Sequence, residues 1–152
     1  MKTSFLFLVC LLALSACTAP VDSETKPLGE NVLSKTEIQR AKSGPVDFVT
    51  HVKPIFEAKC VMCHNRQALP GHMSLETRSA AMRTGALGAY IVPGHPEQSL
   101  LVANVESAHS NASVMPAVGE RFTADEYKII SKWVKEGAVW PSGMAGVLHI
   151  VR

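Results

Sequence analysis

Nowhere in these 152 residues is there a run of about 20 apolar residues, the length a helix needs to cross a bilayer. Charge of one sign is scarce as well. Fifteen Lys and Arg stand against 13 Asp and Glu, a net +2, and they are scattered, whereas nucleic-acid binding needs concentrated positive potential. A nucleic-acid partner is therefore set aside. Apolar β-branched runs of the kind that build a central sheet are missing, as is any internal repeat. Cysteine is limited to 4 residues and offers no second close pair, so a four-ligand structural zinc site lacks half its donors. With 47% apolar and 18% charged residues, the chain is neither disordered nor fibrous, and it fits one small globular domain with an addition.

That addition is read at the N-terminus. Lys2 is followed by an apolar run from Phe5 to Leu14, short for a membrane span and suited to the core of an export signal. Leu14-Ser15-Ala16-Cys17 looks like a bacterial lipobox. The expectation is a signal peptide over 1–16 and a mature chain beginning at a lipidated Cys17. Several acyl chains on one residue exceed the two-signal threshold for stable anchoring. Residues 17–45 are polar, with Pro20, Pro27, Gly29 and Gly44, and read as a flexible linker spanning on the order of 30 Å, with a weak helix around Lys35–Ala41.

From Val46 the spacing turns helical, with Phe48, Val52, Phe56 and Cys60 four apart. Pro54 either kinks one helix or starts a short one. A short helix is expected near Ser79–Met82, a turn at Val92-Pro93-Gly94, and a helix from Pro96 to about Val105 whose apolar side is Leu100, Leu101 and Ala103. A polar loop, Ser107–Ser113, follows. Thr123 and Glu126 form a capping-box pattern before a helix carrying Tyr127, Ile130, Trp133 and Val134, which Gly137 ends. The tail, 142–152, suggests a strand at Val147–Val151.

The motif that needs an explanation is Lys59-Cys60-Val61-Met62-Cys63-His64. A short disulfide needs no histidine, and a two-residue spacer constrains the unfolded chain little. A thioredoxin-like dithiol belongs at a strand-to-helix junction, and this chain supplies helices and loops. The remaining histidines, 51, 72, 95, 109 and 149, stand singly and read as surface residues. Covalent haem attachment uses all three motif residues: two thiols for the two porphyrin vinyl groups, and His64 beneath the ring as proximal iron ligand. The haem then serves as the core of a chain too short to bury enough on its own.

For the second face of the iron, Met62 is badly placed between the two thiols. Met73 is within backbone reach. Met115 is favoured because Pro116 restricts its backbone and stiffens the loop that presents it; His72 and His109 stand in reserve. Phe56, Trp133 and Trp140 are expected to wall the haem.

The ordered segments Val52-Lys53-Pro54-Ile55-Phe56, Ser74-Leu75-Glu76-Thr77, Ile91-Val92-Pro93-Gly94 with Pro96, Ser99 and Leu100, Met115-Pro116, and Lys132-Trp133-Val134-Lys135-Glu136-Gly137-Ala138 with Trp140-Pro141 resemble the planctomycete-type cytochrome c domain over 46–141. Ala117 departs from the second proline that relatives often carry. The resemblance implies an all-α cytochrome c-like fold around one covalent haem c, iron held by His64 and Met115, and electron transfer rather than enzymatic catalysis. The expected setting is outside the cytoplasm, facing the periplasm or cell exterior, with a redox protein donor and acceptor and the membrane as partners. Two alternatives stay open: a peroxidase or gas sensor with a displaceable sixth ligand, and the haem subunit of a periplasmic dehydrogenase.

Overall fold

A computed structural model describes residues 30–68, 70–84, 87–110, 115–116 and 121–151. The signal-peptide and lipidation expectations, including Cys17, lie outside them. Among the described residues there is no strand, and no helix is long and apolar enough to cross a membrane. The architecture is all-α.

The first helix, α1 (Lys35–Ser43), covers the weak helix expected around Lys35–Ala41, within the stretch otherwise read as a linker. Ser34 and Glu37 close a capping box on it, and Ile38 and Ala41 are buried on its inner face, with Leu33 just ahead. Carbonyls at and just past its far end are held by one lysine: Lys132 Nζ donates to those of Ala41 at 2.8 Å and Lys42 at 3.2 Å, and also to that of Gly44. Cations at a helix C-terminus are favoured by the orphan carbonyls and the macrodipole alike. The linker reading therefore fails from residue 30 onward, because a short polar-looking stretch holds its few apolar residues at helical spacing and buries them.

A wide π-type turn, Phe48–Val52, capped by Asp47 accepting from the Thr50 N–H at 2.8 Å, runs directly into α2 (Lys53–Lys59). Pro54 sits in the first turn of α2, the part of a helix that best tolerates proline. Next come α3 (Arg78–Thr84), α4 (Leu87–Tyr90) and, after a 3₁₀ turn at Pro96–Gln98, α5 (Leu100–Ser110). Pro96 thus opens a 3₁₀ turn rather than the helix, which runs on into the stretch expected as a polar loop. The buried side of α5 is Val102 and Val105, whereas Leu100 and Ala103 are exposed.

The last helix, α6 (Ala124–Lys135), has the expected capping box of Thr123 and Glu126. It ends at Gly137, φ 102°, where the Ala138 N–H returns to the Trp133 carbonyl at 2.9 Å. Its buried face is Ile129, Ile130, Trp133 and Val134. Tyr127 is only partly buried.

Phe48, Phe56, Trp133 and Trp140 form one aromatic cluster with ring centroids 4.8 to 6.4 Å apart. The tail closes beneath it. The Trp140 indole N–H donates to the Gly146 carbonyl at 2.9 Å, and a Cβ on Gly146 would lie 1.9 Å from the Pro141 carbonyl oxygen. Only glycine fits there. Instead of forming a strand, the tail docks through Leu148, whose side chain is buried and whose N–H reaches the Glu76 carbonyl at 2.7 Å. His51, expected at the surface, is buried; its Nδ1 accepts from the Asp47 N–H at 3.0 Å.

Candidate functional site

The end of α2 delivers the motif. Cys60 caps that helix, and the chain then folds back so that the Cys63 and His64 N–H groups reach the Cys60 carbonyl at 3.1 and 2.9 Å. Both cysteines are free thiols. Asn65, buried, holds this tight loop together: its amide donates to the carbonyls of Val61 at 3.0 Å and Met62 at 2.8 Å, while its oxygen accepts from the Gln67 and Ala68 N–H groups at 2.8 and 3.0 Å. No feature of the sequence singled Asn65 out. Its position directly after the histidine was the available signal, since Asn readily closes local turns by bonding to nearby backbone.

His64 is oriented from behind. Its Nδ1 lies 3.4 Å from the Met73 carbonyl oxygen. A carbonyl only accepts, so the proton belongs on Nδ1 and the lone pair on Nε2, the arrangement that a metal-binding imidazole requires. Partial burial lowers the pKa of His64 below the ordinary value, against the smaller opposing effect of the Met73 bond. The neutral ring is thereby favoured, and only that form binds a metal.

Cys60, Cys63 and His64 open onto one cavity, with Met115 and Pro116 on the same lining. Its empty volume is about 1000 Å³, the open solvent at its mouth included. Met73, Leu75, Ile91, Leu101, Val105 and Phe122 make most of the wall apolar, and Tyr90 and Asn104 add polar tips. Burial pushes the Cys60 thiol up to about 12, with the Lys59 cation pulling the other way.

This donor set and shape fit a haem. Two thiols and an available imidazole nitrogen lie on a large, mostly apolar cavity, and a thioether lies on the same cavity. A structural zinc site does not fit: among the described residues no group of three or more His, Cys, Asp or Glu is placed to hold a metal ion.

The structure thus brings four sequence candidates together, Cys60, Cys63, His64 and Met115. Met73 also lines the cavity, but it is almost fully buried at 3% exposure, whereas Met115 is 39% exposed. His72 is exposed and does not line the cavity. His109 falls in α5, with its side chain outside the described set. The expectation that Phe56, Trp133 and Trp140 wall the haem is corrected. Those rings pack against one another with Phe48, and the aromatics on the cavity are Tyr90 and Phe122. Helical spacing marks a residue as inward-facing without saying which interior it faces.

A family model described as Planctomycete cytochrome C matches residues 60–117. The matched stretch begins at the first motif cysteine and ends just past Met115-Pro116, so it encloses every candidate haem-binding residue. No curated protein and no solved structure matches the chain. Haem and iron are what a cytochrome c domain holds, and electron transfer is what it does with them. The stretch that runs from the paired thiols to the Met-Pro loop is therefore similar to the planctomycete cytochrome c family, a match that supports a cytochrome c domain of that type.

Proposed function

We propose that this protein is a monohaem c-type cytochrome, anchored to a membrane through lipid on Cys17, that carries single electrons between redox proteins outside the cytoplasm. The observation that carries this reading is the convergence of Cys60, Cys63, His64 and Met115 on one largely apolar cavity. Cys60 and Cys63 would hold the haem through thioether bonds, and His64 and Met115 would ligate its iron. When bound, the haem supplies a one-electron ferric/ferrous couple. The Met73 carbonyl keeps the imidazole in the ligating tautomer, the apolar walls limit water, and the Asn65 bonds hold the attachment loop in register. A thioether ligand and a low-dielectric surround both favour the reduced state.

Mass spectrometry of the mature protein, produced in a host with working cytochrome maturation, tests the reading directly. The expected product carries the mass of one haem and of acyl chains on Cys17. A colourless product without the haem mass overturns it, and haem without acyl chains removes only the anchor.

The exposure of Met115 favours a second reading, a gas sensor or peroxidase in which the sixth ligand is displaced. Carbon monoxide separates the two. A six-coordinate carrier binds it poorly in the ferrous state, whereas fast, tight binding supports the displaceable site.

A further inference from the structure

Behind the cavity wall lies an ion pair almost wholly removed from water. Lys59 Nζ and Glu126 Oε2 are 2.6 Å apart, with side chains 1% and 0% exposed. All three ammonium protons are used, because Nζ also donates to the Arg121 carbonyl at 2.8 Å and the Glu30 carbonyl at 3.1 Å. The carboxylate is equally committed. Its Oε1 accepts from the Val32 N–H and its Oε2 from the Thr123 N–H, each at 2.9 Å. The Phe122 ring, itself on the cavity, has its centroid 5.7 Å from Nζ.

The pair is not symmetric about the cavity. Lys59 is one of its lining residues and directly precedes Cys60, whereas Glu126 sits behind, on α6, and does not line it. The result is a fixed dipole whose Lys59 end belongs to the residue that lines the cavity and whose Glu126 end belongs to one that does not. Every hydrogen-bonding atom of the pair is satisfied, so it offers nothing for a ligand to bind. Stability alone is a weak account of it, since buried ion pairs are often matched or bettered by apolar residues of similar size. A buried dipole in a low-dielectric interior does, however, act over distance on any charge change nearby.

On the haem reading given above, we propose that Lys59 and Glu126 are positioning residues for the redox reaction: together they hold a positive pole against the cavity and raise the midpoint potential of the iron inside it. Both singles and the double replacement, Lys59→Met, Glu126→Gln and Lys59→Met/Glu126→Gln, would be purified with haem and titrated electrochemically. The expected order of potentials is E126Q, wild type, the double variant, then K59M, from highest to lowest. Glu126→Gln leaves an uncompensated cation, the double variant abolishes the dipole, and Lys59→Met leaves an uncompensated anion.

Wild type and the double variant should differ at least threefold in the ferric/ferrous ratio at fixed potential, ~28 mV at 59 mV per decade for one electron. A merely structural pair would move every variant in one direction as its cavity loosened and admitted water, and that result overturns the proposal. So does a double variant with a potential at or above wild type. The double variant leaves no unpaired buried charge and is the deciding arm if either single variant fails to fold; its own failure to fold would make the pair a requirement of the fold and overturn the proposal too. If wild-type protein matured in a competent host holds no haem, it is the cytochrome reading that falls, and the two failures are told apart before any titration.

Discussion

The carbonyl oxygen of Met73 stands 3.4 Å from Nδ1 of His64, so one methionine serves the candidate site through its backbone while another, Met115, offers a sulfur. The two are separable. Met115→Ala should abolish the weak thioether-to-iron absorption near the red end of the oxidised spectrum, with the haem still attached. Met73→Ala keeps the His64 contact, because only the side chain is lost, and should leave that band in place. It should lower stability by about 2–5 kcal/mol, the usual cost of truncating a buried methionine. Spectra and denaturation curves of the two variants check the assignment, and an unchanged band in Met115→Ala would exclude it as the ligand.

Asn65 offers a prediction the motif by itself does not. Replacing it with alanine removes bonds to four backbone groups of the attachment loop. Leaving buried backbone partners unpaired costs about 1–3 kcal/mol. Asn65→Asp keeps the two accepted bonds and should fall between wild type and Asn65→Ala in urea denaturation midpoint. Equal losses for Asp and Ala would show that the oxygen contributes nothing.

The two thiols should differ in reactivity in folded, haem-free protein. Burial raises the Cys60 pKa to about 12, so at pH 8 almost none of it is thiolate, the form that reacts. Because the shift is upward, reactivity should rise with pH and stay low through pH 9, where an ordinary thiol is already half ionised. Cys63 is less buried and should be alkylated first by iodoacetamide. Peptide mapping after a timed pulse at pH 8 reads the order, and equal labelling of both would contradict the closed environment of Cys60.

What could be read in advance was whatever is encoded within a few neighbouring residues. Thr123 and Glu126 announce a helix start because each satisfies the other's backbone three positions away. Cys60, Cys63 and His64 announce a haem because their spacing is the chemistry. Glu126 also shows the limit. Its second role, pairing with Lys59 across 67 positions, leaves no local trace, and a lysine at a helix end reads as solvated until its partner is found. The aromatic residues fail for a related reason: periodicity shows that Phe56 and Trp133 face inward, and only tertiary packing shows that they face each other rather than the cavity.

The same limit makes residues 30–45 the most consequential correction. A flexible linker can be removed at little thermodynamic cost, so that reading makes deletions ending at 29 and at 45 equivalent. The packed structure makes them different. Deletion through 45 strips out buried Leu33 and Ile38, each worth about 1.5–3 kcal/mol of burial. It also takes away the Glu30 carbonyl from Lys59, the Val32 N–H from Glu126, and three carbonyls from Lys132. Two of those groups, Lys59 and Glu126, are buried, so their lost partners cannot all be replaced by water without opening the wall behind the cavity. Chains beginning at residue 30 and at residue 46 should therefore differ by roughly 3–6 kcal/mol in unfolding free energy from the apolar term alone. For a domain at the low end of ordinary stability, about 5 kcal/mol, a loss of that size brings the shorter chain near its unfolding midpoint. Urea denaturation of both chains decides it, and matching midpoints would restore the linker.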